Sequence, residues 1–267
     1  MPPEDQRRLR LRFSKFGKIR FTSHRDVARM WERALRRGGV RMAYSQGFAP
    51  HPLVSFGLAL PTGCESMGEY LDLRLDPAEP GDTPVDELAP ALSALLPDGI
   101  DVQAAALVEK GEGSLQQEVA SCDWELEVLE VPGEELQERV EKILASPVLT
   151  VRRERKGRPV ADDIRPAILA LELTGAQGRL RAELATHPRG VRPADVLAAL
   201  GTDKVPARAC RTHQWIERDG TRFEPLPVEW PAGTAVAEQN ARRALPHVRA
   251  GNQPDPRGSR PRGAWEQ

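Results

Sequence analysis

The sequence predicts an α+β protein with two tandem ferredoxin-like halves and a disordered C-terminal tail. Three observations support this prediction. Apolar residues that alternate with polar ones indicate strands, apolar residues that recur every three or four positions indicate helices, and nearly the same order of strands and helices occurs twice. The predicted divisions are a first half at residues 1–109, a second half at 118–230 and a tail at 231–267, with a polar linker at 110–117.

The first half opens with a strand in which three apolar residues alternate with three arginines. They are Leu9, Leu11 and Phe13, and Arg8, Arg10 and Arg12. One face of this strand is expected in the core, and the arginines are expected as an exposed row on the other face. A helix follows, because Ser23 and Asp26 have the spacing of a capping box and Gly38-Gly39 ends the apolar periodicity. The further predicted elements are strands at 40–44, 54–60 and 69–75, a helix at 85–96 and a strand at 100–107.

The second half repeats this order. Its predicted strands lie at 124–131, 148–153, 168–173, 180–185 and 205–216, and its helices at 134–145 and 193–200. From Pro231 onward the chain contains five prolines, four glycines and no Ile, Phe, Met, Cys or Tyr. Such a composition cannot offset the entropy of ordering, so the tail is predicted to be flexible and mildly basic.

Composition and motifs exclude several classes of protein. No run of 18 apolar residues occurs and the N-terminus lacks the apolar stretch of a secretory signal, so we expect a soluble cytoplasmic protein with no membrane partner. The three cysteines, Cys64, Cys122 and Cys210, are too widely spaced for a cysteine metal site, and we expect neither a metal nor a cofactor. The sequence also lacks a phosphate-binding loop, a dinucleotide-binding fingerprint, a G-x-S-x-G elbow and an H-E-x-x-H pair.

Charge is strongly segregated along the chain. Residues 1–60 contain 13 Lys and Arg against 4 Asp and Glu, whereas residues 61–150 contain 4 against 21. A basic region of this strength favours a polyanion such as RNA as a partner, because binding to phosphates releases their counterions. The alternative is that the basic and acidic regions pack against each other inside the protein.

One short loop carries four candidates for contacts with RNA bases. They are Tyr44, Gln46, Phe48 and His51. Pro50 and Pro52 restrict the backbone around His51, so the loop is expected to present these side chains on a stiff frame, where they can stack on or hydrogen-bond to an unstacked base. The alternative is a structural turn in which Phe48 packs into the core and Gly47 adopts a positive φ.

Arginines outside this loop are candidates for contacts with RNA phosphates. They are Arg8, Arg10 and Arg12 of the first strand, Arg25 and Arg29 of the first helix, whose outer face also carries Arg33 and Arg36, and Arg165 of the second half. The segment Asp162-Asp163-Ile164-Arg165-Pro166 fits a phosphate-contacting hairpin tip and a purely structural one equally well.

His24 and His51 are the candidates for catalysis. His24 lies at the first position of the predicted helix, where the positive end of the helix dipole favours the neutral imidazole that a general base requires. The alternative for this segment is that Ser23 and Asp26 only cap the helix.

Several short motifs are together similar to those of one bacterial family. They are Leu11-Arg12-Phe13-Ser14-Lys15 with Gly17 and Arg20-Phe21, Ser23-His24-Arg25-Asp26, Tyr44-Ser45-Gln46-Gly47-Phe48 with Pro50-His51-Pro52, Ser55-Phe56-Gly57, Pro61 with Gly63, Glu65-Ser66, Glu69-Tyr70-Leu71-Asp72 and Asp163-Ile164-Arg165-Pro166. On these motifs the sequence resembles the radical SAM-linked family, a bacterial domain of unknown function that is fused to, or encoded beside, a radical S-adenosylmethionine (SAM) enzyme. Ala167 stands where that family more often has an aromatic residue.

The resemblance implies a partner rather than a reaction. A radical SAM enzyme needs a C-x3-C-x2-C cluster site, which three scattered cysteines cannot supply, so any radical chemistry belongs to another polypeptide. The resemblance also implies genes near those of ribosomal proteins and ribonucleases, which suggests tRNA or rRNA. The leading hypothesis is therefore a non-catalytic accessory that presents structured RNA to a radical SAM modification enzyme. The alternatives are a metal-independent RNA-processing enzyme that uses His24 or His51, and a protein-only assembly factor.

Overall fold

The alternation of leucine and arginine in the first strand decides which face of the sheet the first helix covers. A computed structural model of the chain describes residues 7–76, 84–109, 111–155, 157–174, 178–203, 205 and 207–227. The apolar residues of the strand are buried against the inner face of the helix, as the period of two predicts. They are Leu9, Leu11 and Phe13, which share a core with Val27, Trp31 and Leu35.

Most of the predicted helices and strands are present with shifted ends, whereas the elements at Leu115–Glu118, Arg158–Asp163 and Thr221–Phe223 were not predicted. The strands are β1 (Arg8–Lys15), β2 (Val54–Phe56), β3 (Glu65–Arg74), β4 (Ile100–Val108), β5 (Val119–Val128), β6 (Thr150–Arg155), β7 (Arg158–Asp163), β8 (Ile168–Leu173), β9 (Arg179–Ala185), β10 (Ala207–Arg218) and β11 (Thr221–Phe223). The helices are α1 (His24–Arg37), α2 (Val85–Ser93), α3 (Leu115–Glu118), α4 (Gly133–Ala145) and α5 (Pro193–Ala199). Two 3-10 turns lie at Gly17–Phe21 and Arg165–Ala167.

Within the described residues, nine strands form one sheet and β6 pairs with β7 in a separate hairpin. The order along the sheet is β4-β1-β3-β10-β5-β9-β8, with β2 on the edge of β3 and β11 on the edge of β10. The first half thus has the spatial order β4-β1-β3-β2 and the second half the order β10-β5-β9-β8, and the neighbours within each half are antiparallel. The halves meet where β3 and β10 run parallel, with Glu65 beside Cys210 and Ser66 beside Arg211.

Two hydrophobic cores lie along this sheet. The first is formed by α1 and α2 on β1, β3 and β4, and the second by α4 and α5 on β5, β8, β9 and β10. Leu58, Leu60 and Cys64 belong to the first half by sequence but pack against the second core. The chain between β2 and β3 therefore helps to hold the two cores together.

The predicted start of the first helix is confirmed. Ser23 is the N-cap residue of α1, and its hydroxyl accepts a hydrogen bond from the backbone N–H of Asp26 at 3.2 Å. The Ser23 hydroxyl also donates to the Asp26 carboxylate at 2.7 Å. These contacts satisfy donors at the first turn that no helical carbonyl can reach.

Two predicted strands of the first half are corrected. Residues 40–44 form two isolated bridges, Met42 with Leu75 and Tyr44 with Pro52, instead of a strand. Proline has no N–H to donate to a ladder, which stops pairing at this point. The strand predicted at 54–60 ends at Phe56, because Leu58 and Leu60 leave the sheet edge for the second core.

The α+β class is confirmed, with a large mixed sheet and few helices. The tail predicted at 231–267 lies outside the described residues, and the division into domains stays a prediction. Part of the linker predicted at 110–117 carries the short helix α3, whose Leu115 is buried. In the part of the chain that the structure describes, no helix has the length and apolar character needed to cross a membrane.

Candidate functional site

The outer face of α1 is a continuous basic surface. Its exposed arginines are Arg25, Arg29, Arg33, Arg36 and Arg37. The opposite face buries Val27, Trp31 and Leu35, so the periodicity of 3.6 residues separates the apolar and basic sides of the helix. Arg29 lies 3.4 Å from Asp26, but both side chains are at least half exposed, and such a pair holds little energy. The guanidinium groups of this face are accessible to a ligand in solution.

The loop from Ser45 to His51, here called the aromatic loop, is closed by three contacts between its first and last residues. The N–H of Ser45 donates to the carbonyl of His51 at 2.9 Å, and the N–H of His51 donates to the Ser45 hydroxyl at 3.1 Å. That hydroxyl also lies 2.8 Å from Nδ1 of His51. Gly47 has φ +133°, which side-chain-bearing residues rarely adopt. The loop is therefore stiff at its base.

The side chains that this loop and its flanking Tyr44 carry point to solvent. Phe48 is fully exposed, and Tyr44, Gln46 and His51 are also exposed. The alternative interpretation, in which Phe48 packs into the core, is wrong, whereas the positive φ expected of Gly47 is confirmed. An exposed aromatic ring on a closed loop offers a flat surface at little cost in conformational entropy.

The aromatic loop and the C-terminal end of α1 lie at the same end of the first half. The N–H of Val40 donates to the carbonyl of Leu35 in the last turn of α1. Shortly afterwards the N–H of Ala43 donates to the carbonyl of Arg74, where β3 ends. The loop thus follows the arginine-bearing helix at one end of the first half, and both the loop and the helix were identified from sequence.

The exposed row predicted for the first strand is wrong. Arg10 and Arg12 are buried, and Arg8 is half-buried. Arg10 donates from Nε and Nη2 to both carboxylate oxygens of Asp72, at 2.8 and 3.0 Å, and Arg8 lies 3.5 Å from the same carboxylate. Their guanidinium groups are held inside the protein, away from the position that a phosphate contact requires.

The cover over this row comes from distant parts of the chain. Arg12 donates to Glu224 at 2.7 Å and to the hydroxyl of Tyr70 at 3.1 Å, and Arg10 donates to Glu112 at 3.3 Å. Burial alone would lower the pKa of Arg12, but its interactions with Tyr70 and Glu224 outweigh this effect and raise that pKa. The alternative proposed for the charge segregation, internal pairing of basic and acidic regions, is therefore confirmed for β1.

Arg165 does not lie at a free hairpin tip. Its Nη1 donates to the carbonyl of Ile168 at 3.0 Å, and its Nη2 donates to the carbonyl of Leu144 at 3.2 Å. The backbone N–H of Arg165 donates to Asp163. The side chain thus connects the last turn of α4 to the start of β8, and this contact corresponds to the structural interpretation of the segment.

The two candidate catalytic histidines are not brought together. His24 packs edge-to-face on Phe56, with ring centroids 5.0 Å apart, at the C-terminal end of β2. His51 closes the aromatic loop ahead of the N-terminal end of the same strand. Of the two, His51 is the one with a hydroxyl group hydrogen-bonded to its ring, that of Ser45.

Sequence reasoning missed a buried charged cluster where the halves meet. Arg211 of β10 donates through Nε and Nη2 to both carboxylate oxygens of Glu69, at 2.7–3.0 Å, and through Nη2 to the carbonyl of Leu58. Burial alone would lower the pKa of Arg211, but the Glu69 charge outweighs it and raises that pKa. Lys15 lies on the Glu69 side of β1 and is also buried.

A signal for this cluster exists in the sequence. Lys15 follows Leu9, Leu11 and Phe13 in the same period of two, so the alternation assigns it to the buried face. Glu69 precedes Leu71 and Leu73 in the same way. A charged residue in phase with core residues indicates either a paired ion or a site.

A second missed feature is a stack of three side chains on β10 and β11 in the second half. The ring of His213 lies parallel to Trp215 with centroids 5.0 Å apart, and the Arg222 guanidinium lies 4.2 Å from the indole centroid. Arg222 also pairs with Asp123 and Glu183. Both neighbours of Trp215 in this stack are thus protein side chains. In the described residues, no group of three or more His, Cys, Asp or Glu side chains is arranged to hold a metal ion.

Comparisons with known proteins give one family. A protein-family model described as "Uncharacterized protein conserved in bacteria (DUF2344)" matches residues 8–193. A comparison with curated proteins gave no match. Among solved structures, the crystal structure of an unknown protein from Galdieria sulphuraria is similar, with 12% identity and a TM-score of 0.25, covering 78% of this chain and 99% of that chain. A similarity at this level does not determine the fold.

Proposed function

The chain belongs to this bacterial family, DUF2344, and we propose that it binds structured RNA, tRNA or rRNA, as a non-catalytic accessory of a radical SAM modification enzyme. The observation that supports RNA binding is the exposed arginine face of α1 beside the aromatic loop. The radical SAM partner is supported by the motif resemblance. Such a function places the protein in the cytoplasm.

The arginine face has the extent that a phosphate backbone requires. From Arg25 to Arg36 it spans about 16 Å along the helix axis at 1.5 Å per residue. Guanidinium groups bind phosphates with two parallel hydrogen bonds, and each neutralised phosphate releases counterions. Phe48 in the aromatic loop supplies a stacking surface for an unpaired base at one end of this face.

The test compares two double variants that remove the same charge. Arg29→Gln with Arg33→Gln changes the α1 face, whereas Arg179→Gln with Arg208→Gln changes exposed arginines of the second half. RNA affinity is measured by fluorescence anisotropy at several salt concentrations. The α1 variant is expected to lower the slope of log K against log salt by about 0.7–0.9 for each phosphate that it no longer binds.

The control variant is expected to keep the salt slope of the unmodified chain. Equal slopes for the two variants would contradict the α1 face as the RNA-binding surface. No measurable affinity of the unmodified chain for tRNA or rRNA would contradict the proposed function as a whole.

We also propose that each half is ferredoxin-like. The support is the order of antiparallel strands in each half, in which the fourth, first, third and second strands lie side by side, with two helices on one face. In this arrangement the two helices of each half cover one face of its strands, and the opposite face is not covered by them. In the first half that face carries the buried arginines of β1, and in the second half it carries the His213–Trp215–Arg222 stack.

The proposed protein partner has a candidate surface on α4. Its exposed glutamates are Glu134, Glu135, Glu138 and Glu141. Acidic side chains repel RNA and are available to a basic protein surface. Replacing Glu134 and Glu138 by Lys is expected to weaken binding to the partner enzyme while RNA affinity stays equal or rises. Unchanged binding to the partner in a pull-down would exclude this face.

One observation favours the alternative of an RNA-processing enzyme. The Ser45 hydroxyl lies 2.8 Å from Nδ1 of His51, which is the spacing of a hydroxyl and a general base. If this pair were catalytic, His51→Ala would lower RNA cleavage by the isolated protein by roughly 10²- to 10⁴-fold and leave RNA binding intact. We expect no cleavage by the unmodified chain.

A further inference from the structure

A pocket opens beside the first turn of α1 and reaches a buried lysine. Phe13, Phe56 and Leu60 form apolar walls, and exposed His24 stands at its rim. Lys15 and Glu69 are the charged residues that line it. The aromatic contact between His24 and Phe56 holds the rim in place.

Lys15 is a buried cation with few partners. The residue is 4% exposed, and its Nζ donates to the carbonyl of Thr22 at 3.3 Å. Among the residues that the structure describes, no carboxylate oxygen lies within 4.0 Å of this ammonium. An ammonium group has three N–H donors, so two of them have no protein acceptor there.

The carboxylate of Glu69, which lines the same pocket, is already paired with another cation. Both oxygens of Glu69 accept hydrogen bonds from Arg211. The buried cluster of Lys15, Glu69 and Arg211 therefore contains two cations and one anion. Burial raises the pKa of the neighbouring Cys64 thiol, which keeps that thiol neutral.

Burial disfavours the charged form of Lys15 and lowers its pKa, and the nearby charge of Glu69 offsets only part of this effect. An anion that contacts the ammonium directly would offset more of it. We propose that this pocket binds a compact anionic group of carboxylate or phosphate size, anchored by the Lys15 ammonium. The two free donors of Lys15 supply hydrogen bonds, and the apolar walls exclude water around the contact. This inference goes beyond the RNA-binding proposal and does not depend on it.

Two sources of such an anion are consistent with the position of the pocket. One is a free small carboxylate or phosphate. The other is the terminal phosphate of an RNA bound along α1, because the pocket opens at His24, next to the first arginine of that face. The chemistry at Lys15 is the same in both cases.

The first test measures the reactivity of Lys15 in the unmodified chain. The protein is treated briefly with an amine-acylating reagent, and acylation of each lysine is measured by mass spectrometry in chloride, acetate or inorganic phosphate at equal ionic strength. For a dissociation constant of roughly 1 mM, about 10 mM acetate or phosphate is expected to slow acylation of Lys15 about tenfold. Exposed Lys18, three positions away, serves as the internal control and is expected to react at an unchanged rate. Equal rates at Lys15 in all three salts would overturn the proposal.

The second test uses a matched pair of variants, Lys15→Met and Lys18→Met. Phosphate is expected to raise the thermal midpoint of the unmodified chain and of Lys18→Met, but not that of Lys15→Met. The same phosphate effect in both variants would overturn the proposal. If Lys15→Met does not fold, the acylation experiment decides.

A last comparison distinguishes the sources and separates this proposal from the previous one. An RNA with a 5′-phosphate that protects Lys15 better than the same RNA with a 5′-hydroxyl identifies the RNA terminus as the ligand. Protection by inorganic phosphate with no protection by either RNA identifies a free small anion. Protection by inorganic phosphate without RNA binding supports the pocket and contradicts the RNA function. RNA binding in a chain whose Lys15 is protected by none of the anions supports the RNA function and contradicts the pocket.

Discussion

Replacing Glu69 by Gln is expected to lower the free energy of unfolding by about 3–5 kcal/mol. The Glu69 and Arg211 side chains are 9% and 3% exposed, and both carboxylate oxygens accept hydrogen bonds from the guanidinium. The amide keeps the size of the side chain but removes its charge. Arg211 is then left buried without a counter-charge, and Lys15 lies in the same cluster as a second cation. The substitution thus raises the net charge of the buried cluster of Lys15, Glu69 and Arg211 from plus one to plus two.

The assay is urea-induced unfolding, followed by tryptophan fluorescence, with Glu135→Gln as the control. Glu135 pairs with Arg139 on the surface of α4, where the side chains are 50% and 33% exposed. The control is expected to cost less than about 1 kcal/mol, because water already screens this pair. Adding Arg211→Met to Glu69→Gln is expected to recover part of the stability, since no unpaired guanidinium remains. A cost for Glu69→Gln no larger than for the control would refute the reasoning.

Three further predictions concern the aromatic loop, the thiols and a glycine turn. Phe48→Ala is expected to weaken RNA binding by about 1–3 kcal/mol in anisotropy measurements, with an unchanged melting temperature because the ring is exposed. Burial raises the pKa of Cys122 to about 11 and that of Cys210 to about 12, so neither thiol is expected to react with iodoacetamide at pH 8 in the folded chain. The stability that these neutral thiols contribute is complete below an unfolded-state pKa of roughly 8.5 and is lost as pH rises towards the folded-state values, which an alkaline unfolding series can measure. Gly99→Ala is expected to cost well over 1 kcal/mol in urea unfolding, because Gly99 has φ +91° and an added Cβ would lie 2.3 Å from the carbonyl oxygen of Phe16.

Matched controls make these three results specific. Phe21, also an exposed phenylalanine, lies outside the aromatic loop. Phe21→Ala is therefore expected to lower the affinity for RNA by less than Phe48→Ala does. Gly39 has φ +69° with nothing near an added Cβ, so Gly39→Ala is expected to show the cost of the backbone conformation alone, about 1 kcal/mol. Equal costs for Gly39→Ala and Gly99→Ala, or alkylation of Cys122 as fast as in the urea-unfolded chain, would contradict the corresponding predictions.

The parts of the fold that could be predicted from sequence are those that local rules determine. The Ser23 cap, the two faces of α1 and the buried apolar face of β1 depend on neighbours a few positions away, and all three are confirmed. Strand ends were less predictable. Phe56 ends β2 because Leu58 and Leu60 contact a core built by residues that come much later in the sequence.

The candidate site shows the same division between local and long-range causes. The exposure of the α1 arginines follows from helical periodicity, but the burial of Arg12 depends on Glu224, which is 212 positions away. Local patterns identify the face on which a side chain lies, and they do not identify what covers that face. The partners of Arg165 were unpredictable for the same reason, since the carbonyl of Leu144 belongs to a helix 21 positions earlier.

The short parallel contact between β3 and β10 has a consequence for the order of folding. The hydroxyl of Ser66 donates to the carbonyl of Arg211 across 145 positions of sequence, so this contact closes a very long loop. During synthesis β1 to β4 leave the ribosome well before β10, and contacts of such separation are slow to form. We therefore expect a translation intermediate in which the first core has assembled while Glu69 and the apolar Leu58 and Leu60 still face water, and in which binding of a chaperone would compete with arrival of the last long strand.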